Sequence, residues 1–134
     1  MQTNAFHILE ERGFLYQTTD AEALRRLLGE RPVTFYVGFD PTASSLHIGH
    51  LLPVMAMRRL QECGHRALAL VGGATAMVGD PSGKTEARPI LSRDDINANA
   101  EAIQAQLARF LDFTEGRARL VNNADWLAPL NYIE

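Results

Sequence analysis

The chain has 134 residues, 46% of them hydrophobic and 22% charged, with a formal net charge of −3. That length accommodates one hydrophobic core, and the mildly acidic balance excludes a general nucleic-acid coat, which would be strongly basic. A single cysteine, Cys63, excludes an internal disulfide and suits a reducing compartment, the N-terminus has no secretory pattern, and no stretch approaches a membrane span, so a cytoplasmic protein is expected.

In chain order, Ala5, Ile8 and Leu9 recur at helical spacing within residues 4–12, and Gly13 can end that helix. Thr19-Asp20-Ala21-Glu22 reads as a capping box opening a second helix that runs through Leu24, Leu27 and Leu28 to Gly29. Residues 1–32 thus form an N-terminal helical segment, and residues 33–134 form a second unit. "VTFYVGF", Val33 to Phe39, is β-branched and aromatic and predicts a strand. A small-residue loop follows, and from His47 the chain turns helical until Gly64, with Leu51, Met55 and Leu60 available for an inner face. Cys63, at the end of that helix, reads as a packed thiol. "RALALV", Arg66 to Val71, predicts a buried strand, and the stretch from Gly72-Gly73 to Pro89 reads as irregular. "SRDDINANAEAIQAQLARFL" is the clearest helix, with Ile96, Ala100, Ile103, Leu107 and Phe110 in one stripe. "ARLVN", Ala118 to Asn122, predicts a third strand, and a helix begins around Asp125.

Strands alternating with helices predict an α/β fold: a Rossmann-like, doubly wound parallel sheet, here its first half, about three strands with crossover helices. Because the sequence stops at Asn131-Tyr132-Ile133-Glu134 inside an expected helix, the chain reads as part of a longer protein.

Two stretches carry chemistry. "VGDPSGKT", Val78 to Thr85, looks like a phosphate-binding P-loop, but the spacing fails: the first glycine of G-x-x-x-x-G-K-[ST] falls on Val78. Pro81 removes a backbone donor, Asp80 adds a carboxylate, and Pro89 interrupts the helix that should follow. What remains is a loop carrying Lys84 and Arg88 after Asp80, either a solvated surface loop or a cationic arm that closes on an anion. The other stretch is "YVGFDPTASSLHIGH", Tyr36 to His50: a strand, a loop, and two histidines three apart at a helix start, on one face. Free N–H groups there favour an anion, and Gly49 allows close approach to the backbone. Two histidines are too few for a metal site, so no metal ligand is assigned.

His47-Ile48-Gly49-His50 in this setting resembles the HIGH signature of class I aminoacyl-tRNA synthetases. The longer runs "YVGFDPTASSLHIGH" and "ALVGGATAMVGDPSGKTEAR", with "QLARFLDF" and "NNADWLAPL", resemble the bacterial tyrosyl-tRNA synthetase family. The resemblance implies ATP-dependent activation of L-tyrosine to tyrosyl-adenylate and transfer to tRNA(Tyr), with ATP as substrate, Mg2+ expected and no permanently bound cofactor. It places Tyr36, Gly38, Asp40 and Asp80 around tyrosine, with Tyr36 at the substrate phenol and Asp80 at its ammonium. It places Asp40, Thr42, His47, Gly49 and His50 at ATP, and gives Thr42, His47, His50, Lys84 and Arg88 the charge stabilisation. Lys84 and Arg88 match a loop that grips the leaving pyrophosphate. Pro53 and Val37 depart from the polar residues some members carry near the ribose and at the strand. The family's second amino-acid-binding segment, its K-M-S-K-S loop and its anticodon-binding region have no counterpart here, so an isolated chain of this length is expected to be weakly active at best. The family also implies a homodimer of the full-length protein. The competing expectations are another H-x-G-H nucleotidyl transferase, a tryptophanyl-tRNA synthetase, or a non-catalytic dimerisation module using the apolar region Ala67 to Val78.

Overall fold

A computed structural model describes residues 4–78 and 91–131. Three strands, β1 (Thr34–Phe39), β2 (Arg66–Val71) and β3 (Ala118–Asn122), form a parallel sheet in the order β1-β2-β3. Tyr36 pairs with Leu68 and Gly38 with Leu70, and Leu70 in turn pairs with Val121. Helix α3 (Ile48–Glu62) joins β1 to β2, and α5 (Arg93–Leu107) precedes β3. Both pack on one face of the sheet. Val54 and Met57 from α3 and Ile103 and Leu107 from α5 share a core with Phe39, Ala67, Ala69 and Ala118. Alternation along the strands therefore leaves Tyr36, Gly38, Leu68, Leu70 and Val121 on the opposite face. Consecutive strand order with helices on a single face is the first half of a Rossmann-like sheet.

The N-terminal helices α1 (Ala5–Glu11) and α2 (Ala21–Glu30) make a smaller core with the far end of α3, where Phe6 and Leu28 meet Cys63. Asp20 caps α2 alone, its carboxylate accepting from Ala23 N–H at 2.9 Å, in place of the expected Thr19–Glu22 box. Nor does Gly29 end that helix, which continues to Glu30. Its role is close approach: a Cβ there would lie 2.8 Å from Asn4 Nδ2, whose amide donates to Arg25 O at 2.9 Å.

The inner face of α3 also differs from expectation. Val54, Met57 and Gln61 are buried, while Leu51 is exposed. Apolar residues surround this helix, so the sheet chooses the face. Gln61 belongs inside because its amide pairs with a backbone segment, donating to Asp112 O at 2.8 Å and accepting from Asp112 N–H at 2.9 Å. After β2, the stretch expected to be irregular begins with a short helix, α4 (Gly73–Val78). It is tied down from β3, with Ala74 N–H donating to Asn123 Oδ1 at 2.8 Å. Ala67, Ala69 and Val71 lie in the core, which removes them from any subunit contact. The α5 stripe is as expected for Ile96, Ala100, Ile103 and Leu107, buried behind a Ser92/Asp95 capping box, but the helix ends at Leu107, and Phe110, expected on the same stripe, lies beyond it, partly buried against the core. The last helix, α6 (Ala124–Leu127), follows β3 directly.

Candidate active site

The carboxyl ends of β1 and β2 open into a cleft of about 330 Å³ lined by Gly38, Phe39, Asp40, His50, Leu70, Gly72, Thr75 and Asn123. Open parallel sheets bind ligands at this end, outside the strand termini. Tyr36 stands two residues before Gly38 on the same sheet face, 69% exposed, so its hydroxyl is available and it is not a core residue. Gly72 keeps the cleft open at the end of β2: a Cβ there would sit 2.6 Å from Thr75 Oγ1 and 3.4 Å from Asp40 Oδ1. A side chain on Gly73 would likewise collide with Asn122.

The two histidines sit at the start of α3 with ring centroids 3.8 Å apart. They cap the helix reciprocally. His47 Nδ1 accepts from Gly49 N–H at 3.1 Å, and His50 Nδ1 accepts from His47 N–H at 3.1 Å. Of the helix-start N–H groups expected to be free, that of Gly49 is thus taken up by the His47 ring and that of His50 by His47 O at 2.9 Å. An Nδ1 that accepts carries no proton, so in each neutral ring the proton is on Nε2. Both imidazoles then present an Nε2–H donor outward.

Gly49 is explained by the same geometry, since a Cβ there would come within 2.9 Å of His47 Cε1. The room it leaves is filled by the His47 ring, where the sequence suggested a ligand. Burial lowers the pKa of His50, and the neighbouring His47 lowers it further, against an opposing pull from Asp40. Neutral rings suit hydrogen-bond donation without fixed charge.

The structure thus brings Gly38, Asp40 and His50 around one cleft, with His47 and Gly49 beside it and Tyr36 on the same sheet face. Thr42 lies exposed in the β1–α3 loop. Asp80, Lys84 and Arg88 lie outside the described residues. Sequence reasoning missed Leu70, Gly72, Thr75 and Asn123. The Asn122-Asn123 pair ending β3 was the available signal, because a strand end facing a Gly-Gly turn offers side-chain caps to it. Among the described residues, no group of three or more His, Cys, Asp or Glu could hold a metal ion, and no helix is long and apolar enough to cross a membrane.

Comparison with known proteins gives this geometry a context. The chain is 54% identical over all 134 residues to the tyrosine–tRNA ligase of Clostridium tetani, spanning 33% of that relative's length. Among solved structures it is similar to two C-terminally truncated mitochondrial tyrosyl-tRNA synthetases. That of Aspergillus nidulans has a TM-score of 0.79 at 30% identity, covering 97% of this chain and 40% of its own. That of Coccidioides posadasii has a TM-score of 0.75 at 33% identity, covering 97% and 38%. The chain spans about one third of the length of the curated relatives it matches. The sequence model of the class I tRNA synthetases (W and Y) matches residues 28–134, which hold the sheet, the histidine cap and the cleft, and the chain belongs to that family.

Proposed function

We propose that this chain carries the ATP-facing half of a tyrosine-activating site, within a tyrosine–tRNA ligase. In the reaction, the tyrosine carboxylate attacks the α-phosphorus of ATP. A new carboxyl–phosphorus bond forms, the α–β bridging bond breaks, and pyrophosphate leaves with that electron pair. The adenylate then passes its tyrosyl group to tRNA(Tyr), the bond between the carbonyl carbon and the phosphate oxygen breaks, and AMP leaves with that electron pair. A carboxylate is already ionised near neutral pH, so no general base is needed, and catalysis is positioning plus stabilisation of phosphate charge. The observation that carries the reading is the reciprocally capped histidine pair at the start of α3, with His50 lining the cleft that Gly38 and Asp40 also line.

His47 and His50 would bind phosphate oxygens, with Thr42 offering a hydroxyl from the preceding loop. Tyr36 and Asp80 would hold the substrate phenol and ammonium, and Lys84 and Arg88 the departing pyrophosphate. Mg2+ would arrive on the triphosphate. Homodimerisation and a cytoplasmic setting belong to the same reading.

The test is tyrosine-dependent ATP–pyrophosphate exchange by the full-length protein that contains these residues, with phenylalanine and tryptophan as controls and His50→Ala and Tyr36→Phe alongside. Exchange that requires tyrosine and falls roughly a hundredfold in His50→Ala is expected. Equal loss of tyrosine binding and rate in His50→Ala would remove the histidine from phosphate chemistry. Exchange driven by tryptophan would move the chain to the other branch of its family.

A further inference from the structure

The β1–α3 loop, residues 40–47, is held from α5 at three points. Asn99 Nδ2 donates to Pro41 O at 2.9 Å. Gln106 Nε2 donates to Ser44 O at 3.0 Å, and Gln106 Oε1 accepts from Leu46 N–H at 3.0 Å. Asn99 and Gln106 are seven residues apart, about two turns, and so reach out from one face of α5. The planar amide of Gln106 pairs with the loop as a neighbouring strand would, using donor and acceptor together. Leu46 is the residue before the helix cap. With Ser44 O and Leu46 N–H both engaged, the two peptides flanking Ser45 are held, and the Ser45 hydroxyl, donating to Leu46 O at 3.0 Å, in turn orients the peptide that aims His47 N–H at His50 Nδ1.

We propose that Gln106, with Asn99 as a second anchor, is a positioning residue that holds the His47–His50 pair in its donor-outward arrangement. It acts through the loop backbone. Losing the clamp frees the peptides on either side of Ser45, and with them the Ser45 hydroxyl bond to Leu46 O, so that the 46–47 peptide can turn, the His47 N–H to His50 bond breaks and the tautomer preference of the His50 ring is released. The protein supplies its own control. Gln61 makes the same two-point amide pairing with Asp112, towards the other end of α3, and has no link to the histidines. The proposal rests on the proposed function for its catalytic consequence, and not for its structural one.

Two readouts test it on the chain with isotope-labelled histidine nitrogens. Wild type should show the Nε2–H tautomer at both rings. Gln106→Met should shift His50 to a mixture of tautomers and speed amide exchange at His47 roughly tenfold or more, whereas Gln61→Met should leave both signals in place even as it lowers the melting temperature. In ATP–pyrophosphate exchange by the full-length protein, Gln106→Met should lower kcat roughly tenfold with tyrosine KM unchanged. Gln106→Glu, which keeps the acceptor for Leu46 and loses the donor to Ser44, should fall between. Unchanged tautomers and amide exchange in Gln106→Met, or an exchange rate reduced no further than in Gln61→Met, would overturn the proposal. Absence of exchange in the unsubstituted full-length protein would count against the proposed function alone, since the ring-nitrogen signals decide the positioning role independently.

Discussion

Replacing Gln61 by methionine removes a stabilising joint while keeping shape. Gln61 is 4% exposed, and its amide holds Asp112 by both backbone groups at 2.8 and 2.9 Å. Each bond contributes about 1 kcal/mol net, so their loss accounts for about 2 kcal/mol. A partly exposed Asp112 can recover some water, but it cannot swing away. Leu111 beside it is in the core, and the Asp112 carboxylate is tied to Thr114 N–H at 2.8 Å and Arg117 at 2.7 Å. Stranded backbone groups therefore add to the cost, and the better burial of a thioether offsets part of it, giving about 2–3 kcal/mol overall. With an unfolding entropy of about 2 cal/mol/K per residue, that becomes a drop of roughly 7–11 °C in Tm. Thermal and urea unfolding of the two chains measures it. A Tm within about 2 °C of wild type would refute the reasoning, since it would mean that water or repacking satisfies Asp112 at no cost.

Two further outcomes follow from the same structure. Burial lowers the pKa of His65, as it does that of His50, from the ordinary 6.5. The unfolded chain then binds more protons than the folded one as pH falls, so the stability these groups confer is complete above about pH 6.5 and is lost as pH drops through their folded values. Urea midpoints between about pH 7.5 and 5 should decline, and His65→Gln, which keeps an acceptor for Val33 N–H without titrating, should flatten the decline; a pH-independent midpoint would contradict this. Glu62, held down by Arg58 and Arg59, and Asp112, held down by its Thr114 hydrogen bonds, lose their contributions only as pH falls below the carboxylate range, in a separate window. In Gly49→Ala, a helix-propensity gain of up to about 1 kcal/mol opposes a lost hydrogen bond of similar size, so Tm should barely move while the displaced His47 ring cuts ATP–pyrophosphate exchange roughly tenfold or more. Full exchange in a folded Gly49→Ala chain would show that the ring position is immaterial.

The elements that could be read from sequence are those whose own residues decide them. "RALALV" and "ARLVN" are strands at their expected bounds, and the α5 stripe from Ile96 to Leu107 lies on the core. Where a distant partner decides, local pattern fails. The buried face of α3 is fixed by a sheet and by Asp112, 51 residues from Gln61. Helix α4 is capped by Asn123, 49 residues from Ala74. Gly29 looks like a stop signal and serves as a contact for Asn4. The same division runs through the site. The H-x-G-H spacing placed two histidines on one face, and the structure has their rings 3.8 Å apart. That the His47 ring would take up Gly49 N–H, and that Gln106 would hold the loop ahead of the pair, depended on side-chain geometry that spacing alone does not encode.

Histidine at this helix start does something that the usual capping residues cannot. Serine, threonine or aspartate satisfies an N–H group and ends the chain of donors there. An imidazole accepts at Nδ1 and donates at Nε2, so a cap made from it passes the positive end of the helix outward by the width of a ring. Two such caps in contact hold two donors side by side at the start of the helix, and they do so only while both rings are neutral. Protonating His50 would occupy the nitrogen that receives His47 N–H and would place a charge against the neighbouring imidazole. Burial and that neighbour already hold its pKa down, which favours the neutral His50 ring that the cap requires. The arrangement couples fold and chemistry: acid that breaks the cap also disarms the site, so the loss of exchange activity on acidification should begin no later than the loss of fold.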